Sequence, residues 1–139
     1  MRILQLIDSL EAGGAERMAV NYANALHQTI GYSALVATRA EGPLKEKLAS
    51  EVDYFFMNKK SVLDFQALFR LRKFVKNSKI EIVQAHSSSF FTAVLLKILS
   101  PKLKIFWHDH YGKSEFLEQR PTASLKIGSL FFAGIFSVN

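Results

Sequence analysis

The sequence predicts an α/β domain of Rossmann-like type: three layers, αβα, with a parallel sheet of about six strands and helices on both faces. Three observations carry this. The chain opens with a short apolar run, a double-glycine loop and an amphipathic stretch, residues 2–26, RILQLIDSLEAGGAERMAVNYANAL. Apolar runs rich in Val, Ile, Phe and Tyr then alternate with stretches of helical periodicity through the rest of the chain. Such alternation builds a parallel sheet, because each helix returns the chain to the same edge through a right-handed crossover.

In the first unit the apolar run ends at Asp8, and Gly13 and Gly14 follow in the loop. Ala15, Met18, Ala19, Tyr22, Ala23 and Leu26 then recur at helical spacing, with Glu16, Arg17, Asn21 and Asn24 on the opposite side. Two adjacent glycines let the backbone turn sharply and let a ligand approach the main chain without meeting a Cβ. Unpaired N–H groups at a helix start, with the positive end of the helix dipole behind them, suit an anion, and a phosphate is the first candidate. The nucleotide fingerprint G-x-G-x-x-G is not present, so a simple chain-reversing turn is the competing reading of the same residues.

Residues 32–38 (YSALVAT) form the second expected strand, and Gly42-Pro43 starts a short helix over 44–49. A third strand is expected over 52–57, then a longer helix over 61–77 capped by Ser61, then a fourth strand over 80–85. Ser87, Ser88 and Ser89 lead into an apolar helix over 90–99 that Pro101 closes, and 104–107 (KIFW) is the fifth strand. The stretch 108–121 turns polar and reads as a loop, after which a helix over 122–132 feeds a sixth short strand over 135–138. Nothing in the chain repeats, and no segment has linker composition. In a sheet of this kind ligands gather at the carboxyl ends of the strands, so the residues to weigh are those just beyond them.

The 139 residues make one domain, large enough to bury a core, and 49% hydrophobic with 22% charged is ordinary for a globular α/β protein. The chain has no cysteine, so disulfides and thiolate metal sites are excluded, and a reducing compartment is the expected setting. The N-terminus lacks the long apolar region and cleavage site of a signal peptide, and the apolar tract 127–138 falls short of the ~20 residues a spanning helix needs. A cytoplasmic protein is expected. The net charge of +6 and pI near 9.7 favour an anionic partner. Nucleic acid is not that partner, since the aromatics sit in apolar runs and no DNA- or RNA-binding motif occurs.

Three histidines stand at strand ends. His86 follows the fourth strand, where a helix start would lower its pKa and keep it neutral, and local capping is the plainer alternative. His108 and His110 flank Asp109 where the fifth strand opens into the polar stretch, and in extended geometry both rings point to one side. Two histidines and a carboxylate suggest a facial metal triad, but the third ligand is unassigned and no metal site is expected. Gly112-Lys113-Ser114 copies the end of a P-loop, yet Trp107 stands where the motif needs glycine. Lys113 is then either a phosphate contact from the loop or a solvated surface lysine. In the helix over 61–77, Phe65, Leu68, Phe69, Leu71, Phe74 and Val75 form an apolar set too wide for one stripe. Lys59, Lys60, Arg70, Arg72, Lys73, Lys76 and Lys79 surround it, against the single acid Asp64. Basic charge beside surplus apolar area suits an anionic lipid surface, and a packed helix with a solvated basic rim is the alternative.

The run LIDSLEAGGAERMAVNYANAL resembles the opening of the family-4-type glycosyltransferases of the GT-B fold, enzymes built from two Rossmann-like halves. The resemblance extends from the first strand to the sixth and is most specific at EAGGAER. It implies that residues 1–139 are the N-terminal, acceptor-side half of a retaining, hexosyltransferase-type enzyme. Such an enzyme takes a sugar from a nucleotide-diphosphate-sugar donor, and the C-terminal donor-binding domain, with its two glutamates separated by seven residues, is absent. It further implies substrate-binding roles for Gly13, Gly14, Glu16, Arg17 and Lys113 around the donor, and His86 with His108 or His110 lining the sugar site. No cofactor and no catalytic metal are implied. The acceptor would be a sugar or a lipid-linked molecule of cell-envelope polysaccharide or glycolipid synthesis, met at the inner face of the plasma membrane through residues 59–79. Two readings from other classes compete. One is a non-catalytic Rossmann-like binding or membrane-docking module; the other is a receiver-type signalling domain, which needs more acids than Asp8 at the strand ends.

Overall fold

Five consecutive residues, ILQLI, are all buried in the first strand, β1 (Ile3–Ile7), as a strand covered on both faces requires. In the computed structural model, which describes residues 1–110, 126 and 130–137, β1 lies inside a sheet of six parallel strands. The others are β2 (Ser33–Ala37), β3 (Asp53–Phe56), β4 (Ile82–His86), β5 (Lys104–Asp109) and β6 (Gly134–Ser137). Their spatial order is β3-β2-β1-β4-β5-β6, so the direction of winding reverses between β1 and β4. That reversal opens a crevice at the carboxyl edge of these two strands, which is where open α/β sheets take their ligands.

Alternate side chains of each strand feed two cores. Leu4, Leu6, Val36, Val83, Ala85 and Ile105 pack against α2 (Phe65–Asn77) and α3 (Phe90–Leu99) through Leu68, Leu71, Val75, Ala93 and Leu96. Ile7, Leu35 and Ala37 pack on the other face against Ala19, Val20 and Ala23 of α1 (Gly14–Ile30). Each fully buried leucine contributes about 2 kcal/mol of burial free energy, which is why the sheet rather than the loops holds the site in place. Helix α1 ends at Gly31, whose φ of 76° is left-handed and whose N–H closes on the His27 carbonyl at 3.0 Å.

Several local expectations change. The segment 44–49 is a 3₁₀ turn, Pro43–Lys47, with no buried residue, so nothing holds it as an α-helix. Helix α2 starts four residues later than expected, because Asp64 rather than Ser61 caps it: its carboxylate accepts from the N–H groups of Ala67 at 3.0 Å and Lys60 at 2.9 Å. On α1 it is Val20, not Tyr22, that enters the core, and Tyr22 is 39% exposed. Strand β5 runs two residues beyond Trp107 and carries His108 and Asp109 within the sheet. The expected loop over 108–121 and helix over 122–132 lie largely outside the described residues, and Lys113 with them. No described helix is long and apolar enough to cross a membrane.

Candidate functional site

At the crevice, backbone and side chains of three strand ends are tied together. The carbonyl of Asp8 accepts from the N–H groups of Arg39 at 2.8 Å and Ala40 at 3.2 Å. Its carboxylate accepts from Thr38 Oγ1 at 2.6 Å and from Ser88 Oγ, with Arg39 Nε at 3.8 Å. Asp8 is therefore a structural knot joining the ends of β1, β2 and β4, with each carboxylate oxygen accepting a hydrogen bond. Lys59 is buried nearby and donates from Nζ to Thr92 Oγ1 at 3.0 Å; burial pushes its ammonium below the usual lysine range, against the pull of Asp8.

The glycine loop differs in detail from expectation. Gly13, the N-cap of α1, is extended at φ −147° and ψ 169°, a conformation open to any residue, so it is not turn geometry that demands glycine. A Cβ on Gly13 would lie 2.1 Å from Glu16 Oε2, so the carboxylate of Glu16 rests in the space the missing side chain leaves. A Cβ on Gly14 would meet nothing within 4 Å, and the main chain there faces open space. Arg17 donates its backbone N–H to Gly13 at 3.1 Å and is exposed on the helix surface. Gly42 is constrained by close packing: a Cβ there would stand 2.4 Å from Leu10 O and 2.5 Å from Glu11 N, because the loop after β2 and the glycine loop lie backbone to backbone.

The parallel register of β4 and β5 sets His86 beside His108, on the α1 side of the sheet. Their rings stack with centroids 4.7 Å apart at 16°, and His110 joins at 5.2 Å and 20° from His86. Tyr22 of α1 lies 5.4 Å from His108 and 6.2 Å from His86, which is why it is diverted from the core, and Phe136 stacks on the other side of His108 at 5.0 Å. Beneath them Gln5 and Gln84, partners in the β1–β4 register, are joined by a 2.5 Å amide hydrogen bond. Gln5 Oε1 lies 2.7 Å from His86 Nε2, and His86 Nδ1 lies 3.0 Å from His110 Nε2.

A carbonyl oxygen only accepts, so this chain of contacts fixes the protons. His86 carries its hydrogen on Nε2 and accepts at Nδ1 from His110 Nε2–H. Burial, helped by the charges of His108 and His110, pushes the His86 imidazole down to about 3. His108 is lowered by burial and by His110; His110 is lowered by burial although Asp109 and Glu16 pull it upward. The expected helix-start effect on His86 is thus replaced by desolvation as the cause. All three rings are neutral at pH 7. Both ring nitrogens of His108 are buried and have no partner among the described residues.

The structure therefore brings His86, His108 and His110 into one cluster and puts the Glu16 carboxylate, lying over Gly13, within electrostatic reach of His110. Arg17 points outward and Lys113 is not described. Sequence reasoning missed Gln5, Gln84, Tyr22 and Gly42. A glutamine in the middle of ILQLI and another in IVQAH were the available signals, since a polar side chain inside a buried strand needs a partner. A hollow of about 670 Å³ lies at the opposite edge of the sheet, lined by Arg72, Lys76, Lys79 and Lys102; it opens where α2 and α3 end, and its cations sit where helix carbonyls need them.

A model of the glycosyltransferase family 4 matches residues 12–134, from the glycine loop to the start of β6. The chain belongs to that family. Solved structures agree on the fold. Anabaena Alr3699/HepE, crystallised with UDP, superposes with a TM-score of 0.74 at 15% identity over 97% of this chain and 37% of its own. Acinetobacter baumannii MurG gives 0.66 at 13% identity over 100% and 42%, and a glycosyltransferase from Rickettsia africae gives 0.61 at 15% over 78% and 30%. This family-4 chain spans less than half the length of each of the three. No curated protein matches its sequence.

Proposed function

We propose that this chain is the acceptor-side half of a retaining glycosyltransferase of hexosyltransferase type. The enzyme moves a sugar from a nucleoside-diphosphate donor to a hydroxyl of a cell-envelope polysaccharide or glycolipid precursor. The observation that carries the reading is the cluster of three neutral imidazoles beside the glycine loop, at the crevice between β1 and β4. Neutral rings offer one donor and one acceptor each without placing a charge beside the reacting sugar, and transition-state contacts of this kind lower barriers most where water is excluded. Open space over Gly14 at the start of α1 leaves room for a diphosphate, whose charge the helix N–H groups would meet. The UDP in the HepE complex favours a nucleotide donor, and in this reading a second Rossmann-like half holds the nucleotide. No cofactor or catalytic metal takes part.

The acceptor is met at an anionic membrane surface on the cytoplasmic side. Val62, Leu63, Phe65 and Phe69 are each more than half exposed, and Phe65, Phe69, Lys73 and Lys76 share one face of α2. Lys59, Arg70 and Arg72 contribute less, because Lys59 is buried and both arginines are committed to backbone carbonyls, of Met57 at 2.8 Å and Leu99 at 3.1 Å.

The test is an assay of the full-length enzyme with a panel of nucleoside-diphosphate sugars, the anomer of the product being read by NMR. Transfer with the donor's configuration kept is expected. Inversion contradicts retention, and absence of both transfer and nucleotide binding contradicts the glycosyltransferase reading.

A further inference from the structure

We propose that His86, His108 and His110 form a binding site for a divalent transition-metal ion, Zn²⁺ by the chemistry of its donors, and that occupancy of this site blocks sugar transfer. One ligand atom from each ring lies within 4.8 Å of the others. His86 Nδ1 lies 3.0 Å from His110 Nε2, nearly the separation of two ligands on one tetrahedral zinc, about 3.4 Å for Zn–N bonds near 2.1 Å. An ion therefore takes the place of the proton now shared by these nitrogens. The third ligand is His108, whose ring nitrogens are buried without a partner among the described residues, a state that coordination resolves.

Supporting contacts match what a metal site needs. His86 Nε2–H is already held by Gln5 Oε1 at 2.7 Å, and Gln5 is anchored by Gln84, so the ring is oriented with Nδ1 toward the ion. Glu16 and Asp109 supply negative charge around His110. The three rings lie within 20° of parallel, so His108 and His110 tilt to converge on the ion while His86 stays fixed. Imidazole donors favour Zn²⁺, Ni²⁺ and Cu²⁺ over Mg²⁺ and Ca²⁺, which want oxygen.

The binding site stands on geometry alone; its inhibitory effect rests on the proposed sugar contact of the same rings, and the two are tested apart. The chain, freed of metal by a chelator, is titrated with Zn²⁺ while the ring signals of its four histidines are followed by NMR. The expected result is one ion per chain, with His86, His108 and His110 shifted, His27 unmoved and Mg²⁺ without effect. His27→Ala should leave the affinity unchanged, and Gln5→Ala should weaken it ~10-fold or more through loss of ring orientation. Zn²⁺ that moves none of the three rings, or only His110, overturns the site, and because this is read on the unsubstituted protein no variant need fold. In the full-length enzyme Zn²⁺ should inhibit transfer and a chelator should restore it. Three shifted rings with transfer undiminished by Zn²⁺ would keep the metal site and remove the sugar contact instead.

Discussion

His86 and Gln5, 81 residues apart in the chain, share a 2.7 Å hydrogen bond that fixes which nitrogen of the imidazole carries the proton. Everything His86 does toward the crevice depends on it, because only the Nε2–H form leaves Nδ1 to accept from His110.

Replacing Gln5 by Leu keeps the volume of the strand core but leaves the His86 N–H and the Gln84 carbonyl without their partner. A loss of about 2 kcal/mol is expected for buried polar groups orphaned in this way. Urea unfolding of Gln5→Leu should show it; an unchanged midpoint would mean that the network does not order the site.

Acid should destabilise the folded chain through His86. The unfolded histidine takes up its proton near pH 6.5, whereas the folded one resists until about 3, so the unfolded state binds more protons throughout that window. The stability His86 contributes is present above pH 6.5 and falls with pH, by about 1.4 kcal/mol per unit. At pH 5 about 2 kcal/mol should be missing in chelator-containing buffer, and His86→Gln should flatten this part of the curve. A wild-type profile no steeper than that of the variant between pH 6.5 and 4 would contradict the burial argument.

The two glycine positions should separate fold from function. Gly42→Ala drives a Cβ into Leu10 O and Glu11 N, backbone atoms that cannot step aside, and should cost about 1–3 kcal/mol of stability by overpacking. A Cβ at Gly14 meets nothing within 4 Å, so Gly14→Val should fold normally, yet in the full-length enzyme it should abolish donor-dependent activity by filling the space the diphosphate needs. Thermal unfolding and a donor titration distinguish the two; full activity in a folded Gly14→Val enzyme would reduce the loop to a turn.

The fold was legible because buried parallel strands announce themselves as apolar runs and their helices as periodic stretches between them. The parallel direction of all six strands follows from that alternation, whereas their spatial order, with its reversal between β1 and β4, does not. Boundaries decided by single polar groups were less so: Asp64 displaced Ser61 as a cap because its carboxylate reaches two N–H groups, and the fifth strand ran on through His108 because its partner β4 extends to His86. In the site, three histidines could be singled out by their place at strand ends. Their assembly could not, because it depends on the β4–β5 register and on a Gln5–Gln84 pair across strands 79 residues apart. The backbone contact at Gly42 was equally hidden, being a meeting of two loops.

Membrane docking through α2 should depend on its exposed stripe. Lys73→Glu with Lys76→Glu removes two cations worth ~1 kcal/mol each near anionic lipid and adds two repelled anions, so partition onto anionic vesicles should fall ~30-fold or more, and Phe65→Ser with Phe69→Ser should weaken it as well. Co-sedimentation with anionic and neutral vesicles measures both. Equal binding to the two vesicle types would leave α2 as a packed helix with a solvated rim.

The most direct test is the rate of sugar transfer by the full-length enzyme with His86, His108 and His110 replaced singly by alanine, in chelator-containing buffer. At least one variant, folded by circular dichroism, should lose ~10²-fold in kcat, the usual cost of removing a well-placed polar contact to the transition state. Chelator should not slow the unsubstituted enzyme. Wild-type rates in all three folded variants would contradict the assignment of the histidine cluster to the sugar site.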